Sequence, residues 1–223
     1  PIKSCGAYKC NSRWLLTDRG LKYDREWMIV NYNGVCITQK SNNKLCLIRP
    51  TINVEDQFME LNFPYMNSIR ISLVKAYGQS QATSVCQSKV CGIRVEGTDC
   101  GDLVANWISD ALCMTDLRLI RQNDARSKKS KTKNNISQSI SLANHAQFLL
   151  INTASVDWLI KHVDDWCELA EKTTEEQLTG VVDRFRGNLI LQTNQALVEF
   201  EWKKLQIGGI DFNVGEPCTR CQM

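Results

Sequence analysis

Cys218-Thr219-Arg220-Cys221, directly behind Pro217, is where residue type and spacing point most directly to chemistry. Two thiols three residues apart, leaving a predicted strand, stand on a loop at a strand end. Zinc would need about four ligands, and no second Cys-x-x-Cys exists: Cys5/Cys10 and Cys86/Cys91 are wider apart, and the only histidines are His145 and His162. A thioredoxin-like dithiol sits at the start of a helix after a strand, against the strand-rich context here. There remain a single thiolate ligating a soft transition metal, with the Arg220 charge favouring ionised sulfur, and two ordinary cysteines. Spacing alone leaves both open.

Other segments carry the residue types that grip anions. Arg184-Phe185-Arg186-Gly187-Asn188 places two guanidinium groups and an amide at a helix-to-strand transition. Arginine offers a fork of donors suited to phosphate or a flat heterocycle, and Gly187 permits close backbone approach; a solvated turn is the plainer reading. In Tyr23-Asp24-Arg25-Glu26-Trp27, Arg25 either pairs with a neighbouring carboxylate or reaches a ligand. Lys3-Ser4 by itself reads as ordinary polar residues. His145, before an apolar run, is a candidate cleft residue, and His162 falls on the solvated side of a predicted helix. No Ser/His/Asp order, Walker-type lysine loop or dinucleotide glycine fingerprint is present.

The elements that must hold these residues are mainly strands. Glu26 to Val30 and Val35 to Thr38 flank Asn33-Gly34, a strong hairpin signal because both turn residues tolerate positive φ. Further strands are expected at 45–48, 58–63, 69–74 and 90–95, the short, regular spacing of a barrel or sandwich. Leu103, Val104, Trp107, Ile108, Ala111 and Leu112 recur at helical spacing. The polar stretch 122–138 reads as a loop dividing the chain. Beyond it come a strand at 148–151, a helix from about Ser155 with Val156, Leu159, Ile160, Val163 and Cys167 on one face, and a helix opening near Thr173, where Thr173 to Glu176 has capping-box spacing. A strand at 189–191 and a hairpin, Leu205 to Ile207 and Ile210 to Val214 around Gly208-Gly209, complete the pattern.

Composition narrows the function. The 43% hydrophobic content of the 223 residues suits a packed core. Eleven cysteines, many within apolar runs such as Val35-Cys36-Ile37, suit buried thiols in a reducing cytosol better than a disulfide scaffold. No apolar run approaches the ~20 residues of a membrane helix, and Pro1-Ile2-Lys3-Ser4-Cys5 reads as neither a signal peptide nor a transit sequence. Residues 121–133 hold six Lys/Arg against one Asp; subtracting that +5 from the formal +3 leaves −2, so no broad basic face for nucleic acid is expected. Lacking an initiator Met and stopping two residues after Cys221, the chain is expected to be a piece of something longer, without its closing strands.

Taken in order, Pro1-Ile2-Lys3-Ser4-Cys5, Gly20 to Met28, Gly34 to Lys40, Phe185-Arg186-Gly187-Asn188 and Pro217 to Cys221 resemble the carboxy-terminal region of eukaryotic molybdenum cofactor sulfurases, essentially from end to end. The resemblance implies a mostly β fold with a few helices (α+β): an amino-terminal MOSC-type β-barrel over 1–120, a basic flexible linker over 121–140, and a MOSC domain over 141–223 lacking its carboxy-terminal part. By similarity to the related amidoxime-reducing proteins, Cys221 matches the thiolate that ligates molybdenum and takes part in the chemistry. Lys3, Ser4, Arg25, Arg186 and Asn188 match residues that hold the pterin and its phosphate, and Thr219 and Arg220 match neighbouring contacts. Two departures stand out: His145 lies near a small hydroxyl residue of the reductases, and Gly187 replaces their proline.

What the family implies about function is specific. The molybdenum cofactor (molybdopterin) is held while an oxo ligand is exchanged for sulfido. The sulfur comes from a persulfide raised by an upstream desulfurase-like domain that uses pyridoxal phosphate, and the products are active xanthine dehydrogenase and aldehyde oxidase. No lysine site for pyridoxal phosphate is recognisable here, so these residues alone are expected not to mobilise sulfur. Neither nucleic acid nor membrane is an expected partner. The competing expectations are a molybdenum-dependent reductase of N-hydroxylated compounds, a carrier module without chemistry, and a zinc-stabilised interaction domain.

Overall fold

Trp27-Met28-Ile29-Val30 is apolar at every position, the pattern of a strand covered on both faces, and all four side chains are buried. The computed structural model in which they sit describes residues 1–74, 86–90, 93–123, 128–131, 137–143, 146–166 and 174–218. The chain divides into two compact units, Pro1–Gln147 and Phe148–Met223.

In the first unit the described strands are β1 (Leu16–Thr17), β2 (Gly20–Leu21), β3 (Trp27–Val30), β4 (Arg49–Asn53), β5 (Phe58–Asn62), β6 (Ile69–Ser72), β7 (Cys86–Val90), β8 (Ile93–Asp99), β9 (Arg118–Gln122), β10 (Lys128–Lys131) and β11 (Ser137–Ile140). A four-stranded sheet runs β3-β9-β8-β7, and a three-stranded sheet β4-β5-β6. Helix α1 (Asp102–Leu112) turns Val104, Ile108 and Leu112 into the main core, where they meet Trp27 and Ile29 of β3 and Leu119 of β9. Leu103, expected on that inner face, is 82% exposed. The other face of β3 builds a second, smaller cluster of Met28, Val30, Ile120 and Leu142.

Several local expectations change. The Asn33-Gly34 turn forms, with Gly34 at φ 70° and the Asn31 side chain accepting the Asn33 and Val35 N–H groups. The returning arm makes only an isolated bridge, Val30 to Cys36, because the Thr38–Ser41 turn bends it away. Residues 45–48 are not a strand: Asn42 accepts the Lys44 N–H and opens a 3-10 turn over Asn43–Leu47. The unforeseen β4 follows, with Pro50 tolerated because β4 is an edge strand. Residues 90–95 belong to two strands, with Val90 opposite Ile93. The stretch read as a basic linker holds the end of β9 and the antiparallel pair β10–β11, Lys128 opposite Ile140. Its composition suggested a loop; at 128–131 and 137–140 hydrogen-bond pairing overrides that.

In the second unit β12 (Leu150–Asn152) and β13 (Leu189–Leu191) pair in parallel, joined by a crossover containing α2 (Thr153–Ile160) and α3 (Glu175–Phe185). Val156 and Ile160 of α2 pack on Val181 and Val182 of α3. Asn152 caps α2 through the Ala154 N–H, so the helix starts before Ser155, and Val163 lies beyond its end; Cys167 lies outside the described residues. The capping box of α3 is one residue on from the expected one: Thr174 accepts the Gln177 N–H at 3.2 Å and Gln177 returns the bond at 3.0 Å. Strands β14 (Lys204–Ile207) and β15 (Ile210–Asn213) form the expected hairpin, with Gly208 and Gly209 both at positive φ.

Candidate functional site

Unit one gathers three of the candidate ligands at one end of β3. The first residues lie beside that strand: Ile2 bridges Trp27, and the Lys3 N–H donates to the Trp27 carbonyl at 2.8 Å. Leu142 then ties two cationic residues together. Its carbonyl accepts Lys3 Nζ at 2.8 Å, and its N–H donates to the Arg25 carbonyl at 3.0 Å. Leu142 is fully buried in the cluster behind β3, so apolar packing fixes where both chain segments sit. Gln39 Nε2 donates to the Ser4 carbonyl at 2.9 Å. The Arg25 guanidinium, 20% exposed, pairs with Asp24 at 2.6 Å.

The backbone here is strained. Ser4 (φ 69°), Tyr23 (φ 67°) and Arg25 (φ 50°) all occupy the left-handed region without being glycine. Each such residue costs on the order of 1–3 kcal/mol and persists only where its surroundings impose it, most often at sites of function. In unit two Arg186 is also left-handed (φ 58°), at the carboxy-terminal cap of α3, where glycine is the usual occupant. Three of the five described candidates, Ser4, Arg25 and Arg186, therefore share this conformation.

Asn188 is partly committed to structure. Its Oδ1 accepts the Leu149 N–H at 2.7 Å while its own N–H donates to the Leu149 carbonyl at 3.0 Å. Gly187 is closely packed: a Cβ there would lie 2.4 Å from Ile151 Cγ1 and 3.0 Å from the Leu149 carbonyl oxygen. The α3–β13 junction is thus pressed onto the neighbouring strand, which sets the place of Arg186. Cys218 is exposed. Thr219, Arg220, Cys221 and His145 lie outside the described residues. His162 is exposed just past α2, stacked on Trp158 with ring centroids 4.2 Å apart.

Some contributors were not singled out by sequence. Leu142 reads as one more apolar residue, and Gln39 as a polar loop residue. Glu26 lay within a motif that was noticed but was weighed only as a surface partner of Arg25; it is buried. Arg121 was counted with the basic run, yet it sits in β9 with its guanidinium over the Trp27 ring. A concavity of about 540 Å³ is lined by Tyr32, Asp99, Asp102, Asn106, Asp116 and Arg118 among others. Three carboxylates against one guanidinium suit an anionic ligand poorly, and Arg118 already pairs with Asp99 (3.0 Å) and Asp102 (2.6 Å). Among the described residues no group of three or more His, Cys, Asp or Glu is placed to hold a metal. No helix of the described residues is long and apolar enough to cross a membrane.

Comparison with known proteins now bears on this arrangement. Residues 1–115 match the family described as MOSC N-terminal beta barrel domain, and residues 137–223 the family described as MOSC domain. Over its whole length the chain is 51% identical to Molybdenum cofactor sulfurase 3 of Aedes aegypti, covering 28% of that protein. It is 48% identical to the molybdenum cofactor sulfurase of Bombyx mori and 47% identical to that of Drosophila melanogaster, covering 27% and 26% of them. The chain thus spans little more than a quarter of the length of these relatives.

Proposed function

This chain belongs to the MOSC family, an MOSC N-terminal β-barrel domain followed by an MOSC domain, and from that membership we propose that it is the cofactor-holding part of a molybdenum cofactor sulfurase. Its relatives carry that name across the full 223 residues compared. The observation that carries the reading is the strained cationic corner of unit one, where Lys3 and Arg25 are tied through a single buried residue and Ser4 and Arg25 are held left-handed. Such a donor set fits an anionic, polar-ringed group: fixed ammonium and guanidinium donors match a phosphate, and upstream strain is tolerated where a ligand is to be met.

When bound, the cofactor supplies a molybdenum centre able to take up sulfur. Lys3, Ser4, Arg25, Arg186, Asn188, Thr219 and Arg220 are the residues that would hold its phosphate and pterin, and Asn188 also pins the junction that carries Arg186. Cys221 provides the thiolate for molybdenum, a soft ligand for a soft metal. The sulfur would come from a pyridoxal-phosphate-dependent desulfurase domain, and the recipients would be cytosolic xanthine dehydrogenase and aldehyde oxidase.

The test compares molybdenum and pterin content in the purified chain with Cys221→Ser and Cys218→Ser variants. Cys221→Ser is expected to lose molybdenum with unchanged circular dichroism, while Cys218→Ser keeps most of it. Equal metal loss in both variants, or zinc in place of molybdenum, sinks the assignment.

A further inference from the structure

The corner that carries Arg25 also contains an ion pair with no part in the reading above. Glu26 is 7% exposed, and its carboxylate faces two ways. Oε1 accepts the Tyr23 N–H at 3.0 Å, and Oε2 accepts Arg121 Nη2 at 3.3 Å. Arg121 reaches this carboxylate from β9; its guanidinium lies 4.6 Å from the Trp27 ring centroid and donates through Nη1 to the Leu73 carbonyl at 2.8 Å. The Gln122 N–H also donates to the Glu26 carbonyl at 2.8 Å, so β9 grips Glu26 by backbone and side chain together.

A buried ion pair seldom adds net stability over apolar residues of similar volume, because desolvation offsets the attraction. Its placement here has a different consequence. Tyr23 and Arg25, on either side of Asp24, are both left-handed, a conformation that neither side chain favours. A carboxylate accepting the Tyr23 amide closes the turn from residue 23 to residue 26, and Arg121 holds that carboxylate from a separate strand. We propose that Glu26 is a positioning residue for Arg25: with Arg121 it locks the Tyr23–Arg25 turn in its left-handed form before any ligand arrives. The Arg25 guanidinium is then presented to an anion from a fixed backbone, and binding does not have to order it. The proposal rests on Arg25 being a cofactor ligand.

The experiment titrates isolated molybdenum cofactor into the chain and follows pterin fluorescence, with thermal unfolding measured beside it. Glu26→Met combined with Arg121→Met removes both charges at similar volume, so folding is expected to survive. Its affinity is expected to fall roughly 10- to 100-fold, the usual loss when a group supporting a ligand is removed. Glu26→Gln combined with Arg121→Met restores an acceptor for the Tyr23 N–H but not the Arg121 hold on it, and should recover part of that loss. A purely structural role would leave affinity the same in both. Undiminished affinity in the double-methionine variant, while Arg25→Ala binds weakly, overturns the positioning role alone. Undiminished affinity in Arg25→Ala overturns the ligand reading instead. A measurement on the unsubstituted chain does not depend on how the variants fold: exchange of the Tyr23 amide should be slow without cofactor and unchanged by it. Protection that appears only with cofactor overturns the proposal.

Discussion

Arg186, a proposed cofactor ligand, occupies a left-handed cap position that would suit glycine, and an arginine there costs the backbone about 1–2 kcal/mol. Arg186→Ala and Arg186→Gly should therefore lose cofactor affinity alike, about 10- to 150-fold for a charge-assisted bond worth about 1.5–3 kcal/mol. They should differ in stability, with the glycine variant unfolding at the higher temperature. Equal melting points would mean that the cap is not strained. Cys100 shows a different kind of control. Burial, reinforced by the Asp99 carboxylate, pushes its thiol from the ordinary 9.0 up to about 12. Below pH 9 the thiol is neutral whether the chain is folded or not. Between pH 9 and 12 the unfolded chain loses a proton that the folded chain keeps, so this thiol's contribution to stability falls across that window. At pH 8 iodoacetamide should label exposed Cys46, Cys113 and Cys218 well before Cys100, and early Cys100 labelling would contradict its burial.

At the scale of elements, the α3–β13 junction is held by packing and by capping, and the two should respond differently to substitution. Thr174→Ala removes one arm of the capping box, with an expected loss of about 1 kcal/mol and unchanged cofactor content. Gly187→Ala drives a methyl group into Ile151 and the Leu149 carbonyl, so junction and strand must separate. A cost of about 1–3 kcal/mol is expected, together with lower pterin content because Arg186 moves with the junction. Denaturant melts and pterin assays on the two variants check this; if Gly187→Ala keeps full pterin content, the junction does not set the place of Arg186. Sequence suggested either ligand approach or a solvated turn at Gly187; the tertiary structure adds a close contact with Ile151 and the Leu149 carbonyl that no local pattern shows.

For the whole molecule, the proposed function predicts sulfur transfer. Supplied with molybdenum cofactor, a cysteine desulfurase and L-cysteine, a longer protein containing these residues should acquire cyanide-releasable sulfur at a level tied to its molybdenum content. Holding the cofactor in place turns an encounter of three components into one of two. A sulfurated product that forms equally well with Arg25→Ala would show that the chain is not the holder. Efficient reduction of an N-hydroxylated substrate without sulfur uptake would favour the reductase.

The sequence by itself determined much of this: the strand-rich first half, α1 from its helical periodicity, the Gly208-Gly209 hairpin, and the cationic motifs later placed at strained backbone. Those signals are local, since periodicity, turn residues and charged side chains act within a few positions. It misjudged 45–48, 128–131 and 137–140 because Asn42 capping and β10–β11 pairing outweigh average propensity. Only the tertiary structure decided that Leu142 joins Lys3 to Arg25 across 139 and 117 positions of chain, and that Glu26 and Arg121 are a buried pair 95 positions apart. Contacts at that separation depend on which strands become neighbours, and β9 entering between β3 and β8 is a choice made by burying both faces of β3 at once.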